Sequence, residues 1–185
     1  MILCIRDAVA ADMARVAALY GREVVHGTAT FELRPPDAGE MASRFAAVRR
    51  HDLPWLIAEV DGAFGGYAYA SPFRPRPAYR YGVEASIYVE EEARGRGVGR
   101  ALLEALIARV RARGLRHVIG AISDSGTSAA SIALHRALGF REAGVYRQVG
   151  WKFDRWLDVT LMQLDLDPAG APPRGPGLDL AGGPA

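Results

Sequence analysis

A strand-like pattern runs directly into a helix-like one across Arg94-Gly95-Arg96-Gly97-Val98-Gly99-Arg100, and this junction constrains the fold more than any other stretch of the chain. Before it, Val83, Ala85, Ile87 and Val89 alternate with Glu84, Ser86 and Tyr88, which predicts a strand with one apolar and one polar face. After it, Val98, Leu102, Ala105, Leu106 and Val110 recur at helical spacing and predict a long helix ending near Gly114. A glycine-rich turn of this kind lets the backbone approach a ligand closely, and the amides of the helix N-terminus present partial positive charge to an anion. Arg94, Arg96 and Arg100 add guanidinium charge, so a phosphate or diphosphate suits the turn. A Walker loop would end in Gly-Lys-Ser/Thr, which is absent. A Rossmann turn needs a third glycine where Arg100 stands and follows the first strand of its sheet. Two readings remain: an anion cradle in a different fold, or a glycine turn with solvated arginines.

The rest of the chain alternates in the same way. Leu3 to Arg6 predicts a first strand, and Met13, Val16, Ala17, Tyr20 and Val24 behind Asp12 predict a first helix. Met41, Phe45 and Val48, after Pro35 and Pro36, predict a second helix. Trp55 to Val60 and Phe64 to Ala70 flank Asp61-Gly62, a strong antiparallel hairpin signal. His117 to Ile122 predicts a fifth strand, and Ser128 to Leu138 a fourth helix closed by Gly139 in a left-handed cap. Two further strands are expected near Val145 to Val149 and Leu157 to Leu166. The mixture predicts one α/β (α+β) domain over residues 1–167, without internal repeats. The last stretch, Pro168 to Ala185, is rich in Pro, Gly and Ala and is expected to be a disordered tail.

Composition removes several function classes. With 23 basic against 21 acidic residues, the formal charge is +2, too small for a nucleic-acid coat. Apolar residues make up 50% of the 185, enough for a core, yet no run of about 18 apolar residues exists to span a bilayer. The lone Cys4 can form no intrachain disulfide, and the start lacks a basic segment followed by a long apolar one. A soluble cytoplasmic protein is expected. His26, His51, His117 and His135 show no paired ligand spacing, so no metal site is expected. Lys152 is the only lysine among the basic residues.

The glycine turn after Ile87-Tyr88-Val89, followed later by Leu134-His135-Arg136-Ala137-Leu138-Gly139-Phe140, resembles the GNAT superfamily of acetyl-CoA-dependent N-acetyltransferases. Three segments are similar to its phosphinothricin and methionine sulfoximine/sulfone N-acetyltransferase branch: Trp55 to Gly62, Gly66 to Arg74, and Gly150 to Asp158. The likeness covers roughly Ile5 to Leu166. It implies the GNAT fold, a mixed and mostly antiparallel seven-stranded sheet flanked by about four helices, with strands four and five splayed around acetyl-CoA.

The resemblance also implies roles. The diphosphate of CoA would lie on Gly95, Arg96, Gly97, Val98, Gly99 and Arg100, and its pantetheine arm along Ile87, Tyr88 and Val89, mostly through backbone contacts. Ser128 stands where relatives often carry an asparagine that contacts CoA, so it is either a CoA contact or a helix N-cap. An α-amine must lose a proton before it attacks a thioester. Glu84, on the polar face beside the pantetheine track, is the first candidate base. His135 falls in a polar stripe with Ser128 and Ser131 and is the second, able to accept a proton or to give one to the departing thiolate. Its alternative is a partly buried histidine bonded to a backbone carbonyl.

Arg74, on the Pro75-stiffened segment with Arg76, is expected to bind an acceptor carboxylate bidentately, with Glu84, Ala85 and Ser86 bordering the amine. Phe31, Tyr79, Tyr81 and Trp151 are candidates for an aromatic wall. The expected reaction is direct acetyl transfer in a ternary complex to a small amino-acid-like substrate of phosphinothricin, methionine sulfoximine or methionine sulfone type. A homodimer is implied by the resemblance. The alternatives are a protein or peptide N-acetyltransferase and a non-catalytic CoA-binding sensor.

Overall fold

A computed structural model describes residues 1–125, 127–167, 172, 173 and 175–180. Among these the chain forms strands β1 (Leu3–Asp7), β2 (Trp55–Val60), β3 (Ala63–Pro72), β4 (Gly82–Val89), β5 (His117–Ser123), β6 (Arg141–Lys152) and β7 (Arg155–Asp165). The helices are α1 (Met13–His26), α2 (Ala38–Arg50), α3 (Val98–Ala112) and α4 (Ser128–Ala137). One seven-stranded sheet has the order β1-β2-β3-β4-β5-β7-β6. Only β4 and β5 pair in parallel.

Period-two alternation distributes the side chains of β4 to opposite faces. Tyr88 stacks on Tyr67 and meets Tyr20 of α1 edge-on, whereas Val89 lies beside Gly99 of α3. One sheet face is therefore covered by α1 and α2, the latter setting Phe45 edge-on to Trp55 of β2, and the other by α3, whose Val98, Leu102, Leu103, Leu106 and Val110 are all buried. The face of β4 expected to be polar carries a half-buried tyrosine wedged in an aromatic layer with Tyr67, Tyr69 and Trp55. The same face holds Glu84 and Ser86, also half-buried, nearer the start of the strand.

Helix starts and stops follow local chemistry. Asp37 caps α2 by accepting from the Glu40 amide at 2.8 Å, and Arg49 and Arg50 complement the negative end of its dipole. Gly139 follows α4 at φ +89°, in the left-handed conformation expected of it. The sixth strand differs from its sequence-based bounds, running from Arg141 rather than Val145 and on to Lys152. Its register shifts twice, and Gln148 sits at φ +48° with its amide bonded to Asp158, so pairing resumes beyond each irregularity.

The expected disordered tail covers 168–185, of which 168–171, 174 and 181–185 lie outside the described residues. Within the described part, Leu178 is buried and its amide donates to the Arg80 carbonyl at 2.8 Å, while the Tyr81 hydroxyl donates to the Gly175 carbonyl at 2.9 Å. Residues 175–180 thus lie against the entrance to β4 instead of standing free. Apolar side chains at Leu178 and Leu180, spaced two apart, supply the contact that the Pro/Gly/Ala count obscures.

Candidate active site

The parallel pairing of β4 with β5 runs only from Gly82↔His117 to Ala85↔Gly120. Beyond it β4 continues to Val89 on β3 alone, and β5 continues to Ser123 on β7 alone. The two strands therefore diverge, and the β5-facing edge of Ser86, Ile87, Tyr88 and Val89 is left without a ladder partner. Unpaired strand backbone is a template for an extended ligand carrying amides. A cavity of about 640 Å³ occupies this divergence and reaches the start of α3.

At that end Gly97 precedes α3 at φ +82°, a conformation an L side chain adopts only at a cost. The first intrahelical bond of the turn runs from Ala101 to Gly97 at 3.0 Å, so the preceding amides have no intrahelical acceptor. Gly95, Gly97, Val98, Gly99 and Arg100 line the cavity, as do Ile87, Tyr88 and Val89. Arg96 does not; it points to Asp61 at 3.3 Å. Arg94, which does, pairs with Glu23 at 2.9 Å, and Arg100 pairs with Glu104 at 2.9 Å. These exposed pairs contribute about 0–1 kcal/mol each, little enough for a diphosphate to compete for the guanidiniums.

Ser128 lies outside the lining. Its hydroxyl donates to the Ser125 carbonyl at 2.8 Å, and Thr127 rather than Ser128 is the N-cap position of α4. Ser125, Thr127 and Ser131 face the cavity in its place. Sequence reading placed Ser131 in the His135 stripe but missed Ser125 and Thr127, because only the turn geometry ahead of α4 decides which of the hydroxyls there points inward.

Glu84 and His135 share the cavity, reached from β4 and α4 respectively. Among the described residues the Glu84 carboxyl has no hydrogen-bond or ion-pair partner, and desolvation alone raises its pKa above the usual 4.5. His135 is buried, with Nδ1 at 2.8 Å from the Ser131 carbonyl and its ring edge-on to Phe140. Burial lowers its pKa below 6.5, partly offset by the Ser131 bond, so the imidazole is neutral at pH 7. The carbonyl alternative raised for this histidine and a place in the cavity wall are both observed: Nδ1 takes the Ser131 carbonyl, and the residue lines the cavity.

The cavity wall beside Glu84 is built in part by the α1–α2 connection. The Ser123 hydroxyl donates to the Thr28 carbonyl, and the Thr28 hydroxyl donates to the Asp124 carbonyl at 2.7 Å, stapling this segment to the end of β5. Lys152, buried at the end of β6, donates to the Thr30 carbonyl at 2.9 Å. Burial lowers its pKa, with Glu23 and Glu32 partly offsetting the effect. The Phe31 ring lies over Gly150, where a Cβ would come within 2.1 Å of it. Tyr20 donates to Glu32 at 2.9 Å, Glu32 is held bidentately by Arg44, and burial pushes the Tyr20 hydroxyl up to about 12.

Tyr20, Thr30, Phe31 and Tyr69 thus wall the cavity near Glu84, Ala85 and Ser86. Of the aromatic wall expected from sequence, only Phe31 takes part. Tyr79 packs on Phe73, Tyr81 reaches the Gly175 carbonyl, and Trp151 meets Trp156 at the surface. Arg74, Pro75 and Arg76 are exposed and outside the lining, with the Arg74 guanidinium over the Phe73 and Tyr79 rings. The segment leaves β3 just beyond the Ser71↔Glu84 and Pro72↔Val83 pairs, so it flanks the Glu84 end of the cavity from outside. Among the described residues no group of three or more His, Cys, Asp or Glu side chains is arranged to hold a metal ion.

The model of the acetyltransferase (GNAT) family matches residues 18–140. The chain is 49% identical over 156 residues to the phosphinothricin N-acetyltransferase of Alcaligenes faecalis, covering 84% of this chain and 79% of that one. It is 45% identical over 174 residues to the L-methionine sulfoximine/L-methionine sulfone acetyltransferase of Pseudomonas paraeruginosa, covering 94% of this chain and all of that one, 100%. Among solved structures, the phosphinothricin acetyltransferase of Sinorhizobium meliloti in complex with AcCoA superposes with a TM-score of 0.88 at 45% identity, over 94% of each chain. Opened strands, a left-handed glycine ahead of a long helix and a match spanning both make the conclusion direct: this chain belongs to the GNAT family of acetyltransferases.

Proposed function

We propose that the protein moves the acetyl group of acetyl-CoA to the α-amine of a small amino-acid-like acceptor of phosphinothricin, methionine sulfoximine or methionine sulfone type, by direct attack in a ternary complex. The observation that carries this reading is the single cavity that joins the opened edge of β4, the amides ahead of α3, and Glu84. The residues fit the cosubstrate. The Ile87–Val89 edge suits the pantetheine amides, and the turn from Gly95 to Arg100 suits the diphosphate. Acetyl-CoA brings an activated thioester, so what is required of the chain is orientation and proton transfer.

Glu84 takes a proton from the acceptor's ammonium group, directly or through water. Desolvation raises its pKa, which brings it closer to that of the amine. Ala85 and Ser86 border the amine. His135 is the second proton-transfer group. Arg74, assisted by Arg76 on the Pro75-stiffened segment, is our choice for the acceptor's carboxylate. Its cation–π contacts at an exposed site are worth about 0.5–1 kcal/mol. A bidentate carboxylate pair exceeds that, so release from the rings is not a barrier. Cys4 is exposed on β1 and takes no part, consistent with transfer without an acyl-enzyme.

We further propose a homodimer in the cytoplasm. The β6–β7 hairpin exposes Trp151 and Trp156, whose rings meet, together with Phe153 and Val149, apolar surface that favours burial against a second copy. A free exposed thiol suits a reducing compartment. No helix among the described residues is long and apolar enough to cross a membrane.

Thiol release from acetyl-CoA tests the reading. Turnover with methionine sulfone or phosphinothricin, lost in Glu84→Gln, supports it. Turnover confined to peptide amines would make the protein a peptide acetyltransferase, and tight CoA binding without turnover on any amine would make it a sensor.

A further inference from the structure

Glycine inside a strand weakens it, so each one there needs a reason. Gly120 is buried in the middle of β5, at the last position paired with β4, and its φ lies outside the left-handed range. Backbone geometry therefore does not require glycine. Space does: a Cβ built on Gly120 would lie 2.8 Å from Nε2 and 3.0 Å from Cδ2 of His135. Its next neighbour, the Met162 Cβ at 3.7 Å, is at ordinary contact distance. The imidazole alone occupies the volume a side chain would need. That ring has little room to retreat, since Phe140 meets it edge-on at 4.8 Å between centroids and Phe140 is itself buried.

We propose that Gly120 is a positioning residue for His135: the missing side chain at the point where β4 and β5 part lets the imidazole lie against β5, with Nδ1 on the Ser131 carbonyl and Nε2 as the nitrogen available to the acceptor. The tautomer follows from the partner. A carbonyl only accepts, so Nδ1 carries the hydrogen in its 2.8 Å bond to Ser131. In the neutral ring Nε2 then bears a lone pair, which makes His135 a proton acceptor on the amine side and not the donor to the departing thiolate. The functional half of this inference rests on the proposed proton-transfer role of His135; the ring placement does not.

The test uses the full chain with Gly120→Ala, His135→Ala and the double variant, with kcat at saturating acetyl-CoA and methionine sulfone, and long-range 1H–15N NMR of the imidazoles. The wild-type spectrum at pH 7 is expected to show His135 as the Nδ1–H tautomer. Gly120→Ala is expected to shift those resonances and to lower kcat by as much as about 100-fold, the scale of a 1 Å misplacement. The KM for acetyl-CoA is expected to move by less than about twofold, since the CoA contacts are untouched. In the His135→Ala background the ring is gone, so adding Gly120→Ala should change kcat by less than about twofold.

An Nε2–H tautomer in the wild type overturns the proposal without any variant. So does Gly120→Ala with wild-type resonances and kcat, or an equal loss in both backgrounds. If His135→Ala turns over like the wild type while Gly120→Ala still shifts the ring, the placement stands and the proton-transfer role of His135 falls.

Discussion

A carboxylate with no partner in a half-buried site is a liability to the fold, and Glu84 is placed in that position. Its folded pKa is raised, so any stability it contributes is present below the unfolded value near 4.5 and lost as pH rises through the folded one. Glu84→Gln is therefore expected to raise Tm at pH 7, with the gain shrinking as the pH falls toward 4.5, when the wild-type carboxyl also becomes neutral. The same substitution should lower kcat by about 10²–10⁴-fold while leaving the Kd for acetyl-CoA unchanged. Calorimetric unfolding scans at several pH values, together with initial rates, read both. Arg74→Ala should raise the acceptor KM by about tenfold or more, the worth of a charged hydrogen bond, without altering CoA binding. Initial rates against acceptor concentration decide it. At this scale the period-two and period-3.6 patterns fixed only the faces on which Glu84 and His135 lie, and the roles proposed for them came from the resemblance. Tyr20, Thr30 and Lys152 were not, because only the folded chain brings the α1–α2 connection against β6.

Among elements, the handover from β4 to α3 depends on one left-handed residue. Gly97→Val is expected to cost about 1–2 kcal/mol of conformational energy and to weaken CoA binding measurably by calorimetry. Arg111→Ala, altering an exposed residue late in α3 and outside the cavity lining, provides the comparison and should leave the affinity within about threefold. The periodicities around this junction were strong, so β4, α3 and β5 were readable almost to the residue. β6 was not: Gly144, Gly150 and the left-handed Gln148 interrupt its alternation, and pairing with β7 carries it across. A short-range pattern cannot report a strand sustained by its neighbour. The hydroxyl cluster ahead of α4 failed for the same reason, with a turn and not a periodicity choosing Ser125 and Thr127 over Ser128.

For the whole molecule, we propose that residues 1–167 form the catalytic domain and that residues 175–180 brace it through Leu178. Leu178→Ala should destabilise the protein by about 2 kcal/mol and lower Tm by about 4–8 °C, as thermal unfolding will show. A wild-type Tm in that variant would mean that the contact with Arg80 and Tyr81 carries no stability. Composition could not reveal this brace, because proline and glycine content predicts loss of regular structure and says nothing about a single leucine that finds a gap.

Lys152 offers a different lesson about living with one's own reagent. A protein that holds an acyl thioester risks marking itself, and ε-amines are the usual victims. This chain carries one, and folding seals it inside against two backbone carbonyls. Apart from the amino terminus, the surface offers no comparable amine, so among amines the acetyl group's outlet is the acceptor in the cleft.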